Sequence, residues 1–174
     1  MRSMPASGER RPPMRFLRAL LAFLALPGVV AGIVPALILG GNFHPARTAA
    51  AGAAMLALGL VLLLSCVRDF YVSGKGTLAP WDPPARLVVV GLYRFVRNPM
   101  YVAVLALVAG WGVAFGSPSI GLYLAVLAMG FHLRVLVGEE PWLRRRFGEE
   151  WEGYARRVPR WLPRLRSVNK GGRA

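Results

Sequence analysis

The sequence predicts an all-α, polytopic membrane protein with about four transmembrane helices and a C-terminal amphipathic helix on the cytoplasmic side. Three observations carry this expectation. The 174 residues are 55% hydrophobic, with a mean hydropathy of +0.45. Lys and Arg number 22 against 8 acids, a formal net charge of +14. Long uncharged runs separate the charged clusters. A soluble nucleic-acid binder could carry this charge but not this hydropathy, so no nucleic-acid partner is expected. The apolar content also excludes a disordered basic tail. The length suits one domain or one small bundle of spans. Cys66 is the single cysteine, which leaves no internal disulfide and no multi-cysteine metal site. His44 and His132 lie far apart in sequence, so no metal is expected either.

A span needs ~20 apolar residues to cross ~30 Å of hydrocarbon. The first run covers about residues 19–39, with Pro27 and Pro35 as expected kinks. Its apolar stretch is too long for a cleaved signal peptide, and no small-x-small cleavage site follows. The second covers about residues 48–67 and is rich in small residues (Gly52, Ala53, Ala54, Ala57, Gly59). The third, about 99–115, is short and carries Gly110 and Gly112. Small residues at such positions predict close helix packing. Gly116-Ser117-Pro118 permits only a tight helical hairpin into the fourth run, about 119–138. Pro141 cannot donate to the carbonyl of Val137, so a break or kink is expected there, with a new helix starting near Glu140. Beyond it Leu143, Phe147, Trp151 and Tyr154 recur on one helical face, with Arg144, Arg145, Glu149 and Arg156 on the other side. That pattern predicts an amphipathic helix lying on anionic lipid.

The basic residues orient the spans. They fall on the N-terminal arm (Arg2, Arg10, Arg11, Arg15, Arg18), on the segment between spans two and three (Arg68, Lys75, Arg86, Arg94, Arg97), and on the tail from Arg134. The 40–47 loop and the Ser117 turn are almost uncharged. With four spans every basic piece lies on one side, predicted to be the cytoplasm. Both termini are then cytoplasmic and the chain sits in a cytoplasmic or inner membrane. Two units follow: residues 1–72, the arm and first two spans, and residues 73–174, the linker, last two spans and C-terminal helix.

No Asp, Glu, Lys or Arg lies in the middle of a span, which argues against a transporter. His132 is expected to make a structural hydrogen bond. Polar groups gather instead in two stretches. One is the Gly/Pro-rich linker from Gly74 that runs on to Tyr101; the other is Gly138-Glu139-Glu140-Pro141-Trp142. Arg94 and Arg97 suit positive-inside anchors, and Tyr93 and Tyr101 suit interface aromatics. Adjacent Glu139 and Glu140 remain unexplained by anchoring; they suit a cation or ribose hydroxyls. The residues alone thus indicate a polar cytoplasmic pocket of open chemistry.

The same residues carry a resemblance. Gly91-Leu92-Tyr93-Arg94-Phe95-Val96-Arg97-Asn98-Pro99-Met100-Tyr101, then Glu139-Glu140, then Phe147-Gly148-Glu149-Glu150-Trp151 and Tyr154-Ala155-Arg156-Arg157-Val158-Pro159, resemble the integral-membrane methyltransferases. That group includes isoprenylcysteine carboxyl methyltransferase and phosphatidylethanolamine N-methyltransferase. The likeness covers roughly the C-terminal 100 residues. It implies S-adenosylmethionine as cofactor, held at the cytoplasmic edge of the last two spans, and a lipophilic methyl acceptor reached from the lipid bilayer. The family's Arg-His-Pro-x-Tyr pattern falls on Arg97-Asn98-Pro99-Met100-Tyr101, and its upstream tyrosine on Tyr93. Residues 85–88, including Leu87 and Val88, match a stretch that touches the cofactor through backbone. Glu139 is the better match for the acidic cofactor contact, with Glu140 beside it.

The sequence departs from the pattern in two places. Asn98 stands where the family has His; Asn hydrogen-bonds but takes up no proton near neutral pH, so it is expected to orient the cofactor. The arginine assigned to a substrate carboxylate has no partner in register, and Arg134 is the nearest. Glu140, as a base toward a lipid amine, and Arg134 are therefore the candidate catalytic residues. Glu-Glu-Pro-Trp is similar to the phospholipid enzymes and Phe-Gly-Glu-Glu to the prenylcysteine enzymes, so amine, thiol and carboxylate acceptors all stay open. The competing expectation is a non-enzymatic scaffold that binds anionic lipid through its basic tail.

Overall fold

A computed structural model describes residues 27–73 and 87–163, and every regular element among them is helical. Helix α1 (Val29–Leu39) opens with a π turn over Val29–Ile33. Helix α2 (Ala49–Ser73) follows, then a 3-10 turn at Gly91–Arg94, α3 (Pro99–Phe115) and α4 (Pro118–Arg134). A second π turn, Val135–Glu139, leads into α5 (Glu140–Phe147), and α6 (Glu149–Arg157) comes last. Two helices are long and apolar enough to cross a membrane: Ala49–Asp69, and the continuous Pro118–Phe147. Helices α1 and α3 are shorter apolar helices. Residues 19–26 of the first expected span, and the linker at 74–86, lie outside the described residues.

The α2–α3 pair is the centre of the fold, and it is built on glycine. A Cβ on Gly52 would collide with the backbone of Ala114. One on Gly59 would come within 2.9 Å of Leu107 Cγ, and one on Gly110 within 2.8 Å of Leu56 Cγ. The expected close packing of small residues is therefore present. Thr48 Oγ1 donates to Val113 O at 2.6 Å and Ala46 N–H to Ala114 O at 2.9 Å, tying the far end of the pair. Gly116, at φ 59°, ends α3, and Ser117 Oγ accepts from Ile120 N–H to start α4, which makes the expected tight hairpin. Ala31, Leu63, Ala103, Val104, Val108 and Ile120 form the common core. Tyr123 Oη donates to Val30 O at 2.9 Å and holds α1 to α4. Leu58, Val61 and Leu64 on α2, Leu122, Val126, Met129 and Leu133 on α4, and Val137 in the turn after it stay exposed, an outer surface suited to hydrocarbon.

Two expectations about the C-terminal third are corrected. At Pro141 the expected α-helix does start at Glu140, but it follows without a break from a π turn. The π turn before it widens by one residue, with Glu140 N–H donating to Val135 O, and this absorbs the proline in a continuous helix. Pro35 follows the same arrangement, where Val34 N–H donates to Val29 O. Nor is the amphipathic segment one helix on lipid. Gly148, at φ 51°, divides it into α5 and α6. Its apolar face is covered by protein: Trp151, Tyr154 and Val158 are buried with Leu87, Val89, Leu143 and Phe147 against them. Leu87 and Val89 supply apolar surface that lipid was expected to supply.

Candidate functional site

The site segment starts where the chain returns to α2. A Cβ on Gly91 would strike the Asp69 carboxylate, and the residue sits at φ 52°, so this close approach needs glycine. The turn it opens buries Tyr93 against Cys66 and Val88. Burial, above all, pushes the Tyr93 hydroxyl well above the ordinary tyrosine range. Tyr154 Oη donates to Tyr93 O at 2.7 Å, fastening α6 to this turn; burial raises the Tyr154 hydroxyl as well. Asn98 then caps α3, with Pro99 in its first turn.

The antiparallel α3 and α4 place the beginning of one beside the end of the other. There two acids, adjacent in sequence, make different clusters. Glu139 Oε1 accepts a short hydrogen bond from Tyr101 Oη and one at 2.9 Å from Arg134 Nε, which also lies 3.1 Å from Tyr101 Oη. Glu140 is held by two arginines. Arg97 Nη1 reaches Oε1 at 2.8 Å; Arg160 donates from Nε to Oε1 at 2.8 Å and from Nη2 to Oε2 at 2.7 Å. The two clusters differ in exposure. The Arg97 and Glu140 side chains are 13% and 17% exposed, those of Arg134 and Glu139 57% and 34%, so the second pair is the one open to a ligand.

The pair of Arg97 and Glu140 is electrostatically uneven. Burial opposes the charge on Glu140, yet the bonds from Arg160 and the charges of Arg97 and Arg160 hold its carboxyl below the ordinary range. Glu140 stands in the first turn of α5, beyond the apolar run expected over about 119–138, and Arg144, Arg145 and Arg146 follow it in the same helix. Burial, above all, lowers Arg97, and the neighbouring Arg160 charge adds to this against the attraction of Glu140. Arg160 is raised by its hydrogen bonds to Glu140. Arg97 also lies over the Trp151 ring at 5.9 Å, a cation–π contact, and its buried Nε has no partner among the described residues.

An aromatic group flanks Glu139. Tyr101 stacks on Phe131 with centroids 4.3 Å apart, and Trp161 lies 6.5 Å from the Tyr101 ring. Trp161 Nε1–H donates to His132 Nδ1 at 3.1 Å, so the structural hydrogen bond expected of His132 exists, with a partner not foreseen. Asn98 Nδ2–H donates to Arg160 O at 3.2 Å.

Of the sequence-derived site residues, Arg97, Asn98, Tyr101, Arg134, Glu139 and Glu140 come together in these two clusters. Pro99 is buried at the start of α3, and Met100 packs against the core. Leu87 and Val88 lie to the side: Leu87 against Trp151 and Tyr154, Val88 against Cys66 and Tyr93. Arg160 and Trp161 were not foreseen. They follow the last matched motif, and nothing in their spacing announces partners on α3, α4 and α5. Among the described residues no group of three or more His, Cys, Asp or Glu is placed to hold a metal ion.

Two potential membrane-crossing helices among the described residues, with two polar clusters at the shared end of α3 and α4, are the layout of a membrane protein. The chain belongs to the phospholipid methyltransferase family, whose model matches residues 47–150. It is similar to a protein-S-isoprenylcysteine O-methyltransferase B of Arabidopsis thaliana, 32% identical over 78 residues, 45% of this chain and 40% of that one. It is also similar to a nickel-cobalt-cadmium resistance protein, NccN, of Alcaligenes xylosoxydans xylosoxydans, 32% identical over 95 residues, 55% of this chain and 41% of that one. A probable protein-S-isoprenylcysteine O-methyltransferase of Oryza sativa subsp. japonica is 32% identical over 83 residues, 48% and 44% of the two chains. The match spans only about two fifths of the length of these relatives. No solved structure matches the chain.

Proposed function

We propose that this chain moves a methyl group from S-adenosylmethionine to a lipophilic acceptor at the cytoplasmic face of a membrane that it crosses four times. The observation that carries the reading is the Tyr101–Glu139–Arg134 cluster, half-exposed where α3 begins and α4 ends. Its chemistry fits the donor. A carboxylate suits ribose hydroxyls or the amino group, guanidinium groups suit a carboxylate, and the Tyr101 and Trp161 rings suit adenine. Glu139, Tyr101 and Asn98 would hold the donor, with the backbone of Leu87, Val88 and Tyr93 beside them. Arg97, Pro99 and Met100 would shape the pocket floor.

The bound donor supplies a methyl already activated on a sulfonium. The protein's share is to position the two reactants and exclude water. Tyr101 and Arg134 fix one oxygen of the partly exposed Glu139 carboxylate. Arg134, half-exposed on a helix with apolar outer neighbours, is placed to orient the polar end of an acceptor entering from lipid. Glu140 is a poor base, since three hydrogen bonds from two arginines hold it charged. We assign it to binding the site together. Residues 73–174 carry the donor site, though Gly91 and Tyr93 rest on Asp69 and Cys66 of α2.

The acceptor is a lipid amine, a thiol or a prenyl-type carboxylate. The family name and the names of the isoprenylcysteine relatives support this range. The scaffold alternative, lipid binding through the basic tail, is disfavoured by the match to a methyltransferase family; residues 164–174 of that tail lie outside the described residues. The test is incubation of the purified protein with methyl-labelled donor in two arms, one with a phospholipid extract and the other with a mixture of a lipophilic thiol and a prenylcysteine acid. Label should enter one arm and fall at least a hundredfold in Glu139→Ala. Label in neither arm would contradict the reading.

A further inference from the structure

The four residues after α6 are each anchored to a different part of the molecule. Val158 is buried with Trp151 and Tyr154. Pro159 O accepts the backbone N–H of Arg97 at 2.9 Å. Arg160 O accepts from Asn98, and its guanidinium forks the Glu140 carboxylate. Trp161 donates to His132 on α4 and faces the Tyr101 ring. A surface tail needs none of these bonds.

Their arrangement has a direction. The Arg97–Tyr101 segment and the Glu139–Glu140 corner are 38 and 43 residues apart where they bond directly. Arg160 touches both sides, through its carbonyl on Asn98 and its side chain on Glu140. A bidentate guanidinium fixes the carboxylate plane as well as its distance, which a single ammonium cannot do. Without Arg160, Glu140 keeps one bond to Arg97 and Asn98 loses its acceptor's anchor.

We propose that Val158–Trp161 is a strap across the site, and that Arg160 is a positioning residue. Through Asn98 and Glu140 it sets the spacing between the start of α3 and the Glu139 corner. The proposal rests on the methyl-donor reading for its consequence and on the strap bonds for its geometry.

The experiment uses the full chain in detergent, as wild type, Arg160→Ala and Arg160→Lys. Two quantities are read: hydrogen exchange at the Arg97 amide, whose acceptor is on the strap, and equilibrium binding of S-adenosylmethionine. In Arg160→Ala the Arg97 amide should exchange at least tenfold faster and donor affinity should fall at least tenfold, while α2 amides keep their protection. Arg160→Lys, able to meet one oxygen at a time, should fall between on both. Unchanged Arg97 exchange, or unchanged donor affinity in a strap that has opened, overturns the proposal. Should Arg160→Ala also lose α2 protection, Arg160→Lys is judged by the same two criteria. A wild type that binds no donor contradicts the methyl-donor reading, and the strap is then decided by Arg97 exchange alone.

Discussion

Successive side chains on a helix point about 100° apart, and this separates the fates of Glu139 and Glu140. One turns to Tyr101 and Arg134 at the open edge; the other turns inward to Arg97 and Arg160. Glu140 therefore has a pH signature. Its folded carboxyl titrates below the ordinary 4.5, so its contribution is complete above that value and is lost as pH falls through the lower folded one. The thermal midpoint of the detergent-solubilised protein should drop on acidification below about pH 4.5, and Glu140→Gln should flatten that part of the profile. At Gly91 the expected change is steric. Gly91→Ala places a methyl in the Asp69 carboxylate at a left-handed backbone angle, and should cost about 1–3 kcal/mol of stability, read from denaturant or thermal unfolding. The motif likeness made Arg97, Tyr101 and Glu139 legible as site residues. It did not make their pairing legible, nor the clamping of Glu140, because Arg160 reaches it from 20 residues away with no periodic signal.

At the scale of elements, sequence reading was sound wherever a helix is bounded by its own residues. Pro99 and Gly116 delimit α3, which runs Pro99–Phe115 as expected. At Pro141 it found the new start at Glu140 but not the π turn that joins it to α4, because a π turn can absorb a proline and leaves no trace in hydropathy. The stripe through Leu143, Phe147, Trp151 and Tyr154 correctly marked an apolar face. What covers a face is decided by tertiary neighbours, here Leu87 and Val89. The glycine contacts of α2 and α3 give the sharpest prediction at this scale. Gly52→Val must push two backbones apart and should destabilise by about 1–3 kcal/mol. Gly121→Ala on the outer side of α4, where a Cβ meets nothing within 4 Å, should leave the thermal midpoint unchanged or slightly raised.

For the whole molecule, the positive charge and the apolar runs describe one arrangement. Among the described residues, Arg97, Arg134 and Arg160 lie at the end of the bundle where α3 begins and α4 ends, and that end also gathers Tyr101 and Glu139. A cysteine placed at Ser117, in a Cys66→Ala background, should react with an impermeant thiol reagent from the side opposite the site. One placed at Arg146 should react only after the membrane is opened. The central claim, that this end holds a methyl donor, is tested most directly by equilibrium binding of labelled S-adenosylmethionine to the purified protein. Saturable binding is predicted for the wild type, with at least tenfold loss in both Glu139→Ala and Tyr101→Ala. Absence of saturable binding to a folded wild type, or equal binding by all three, would contradict it.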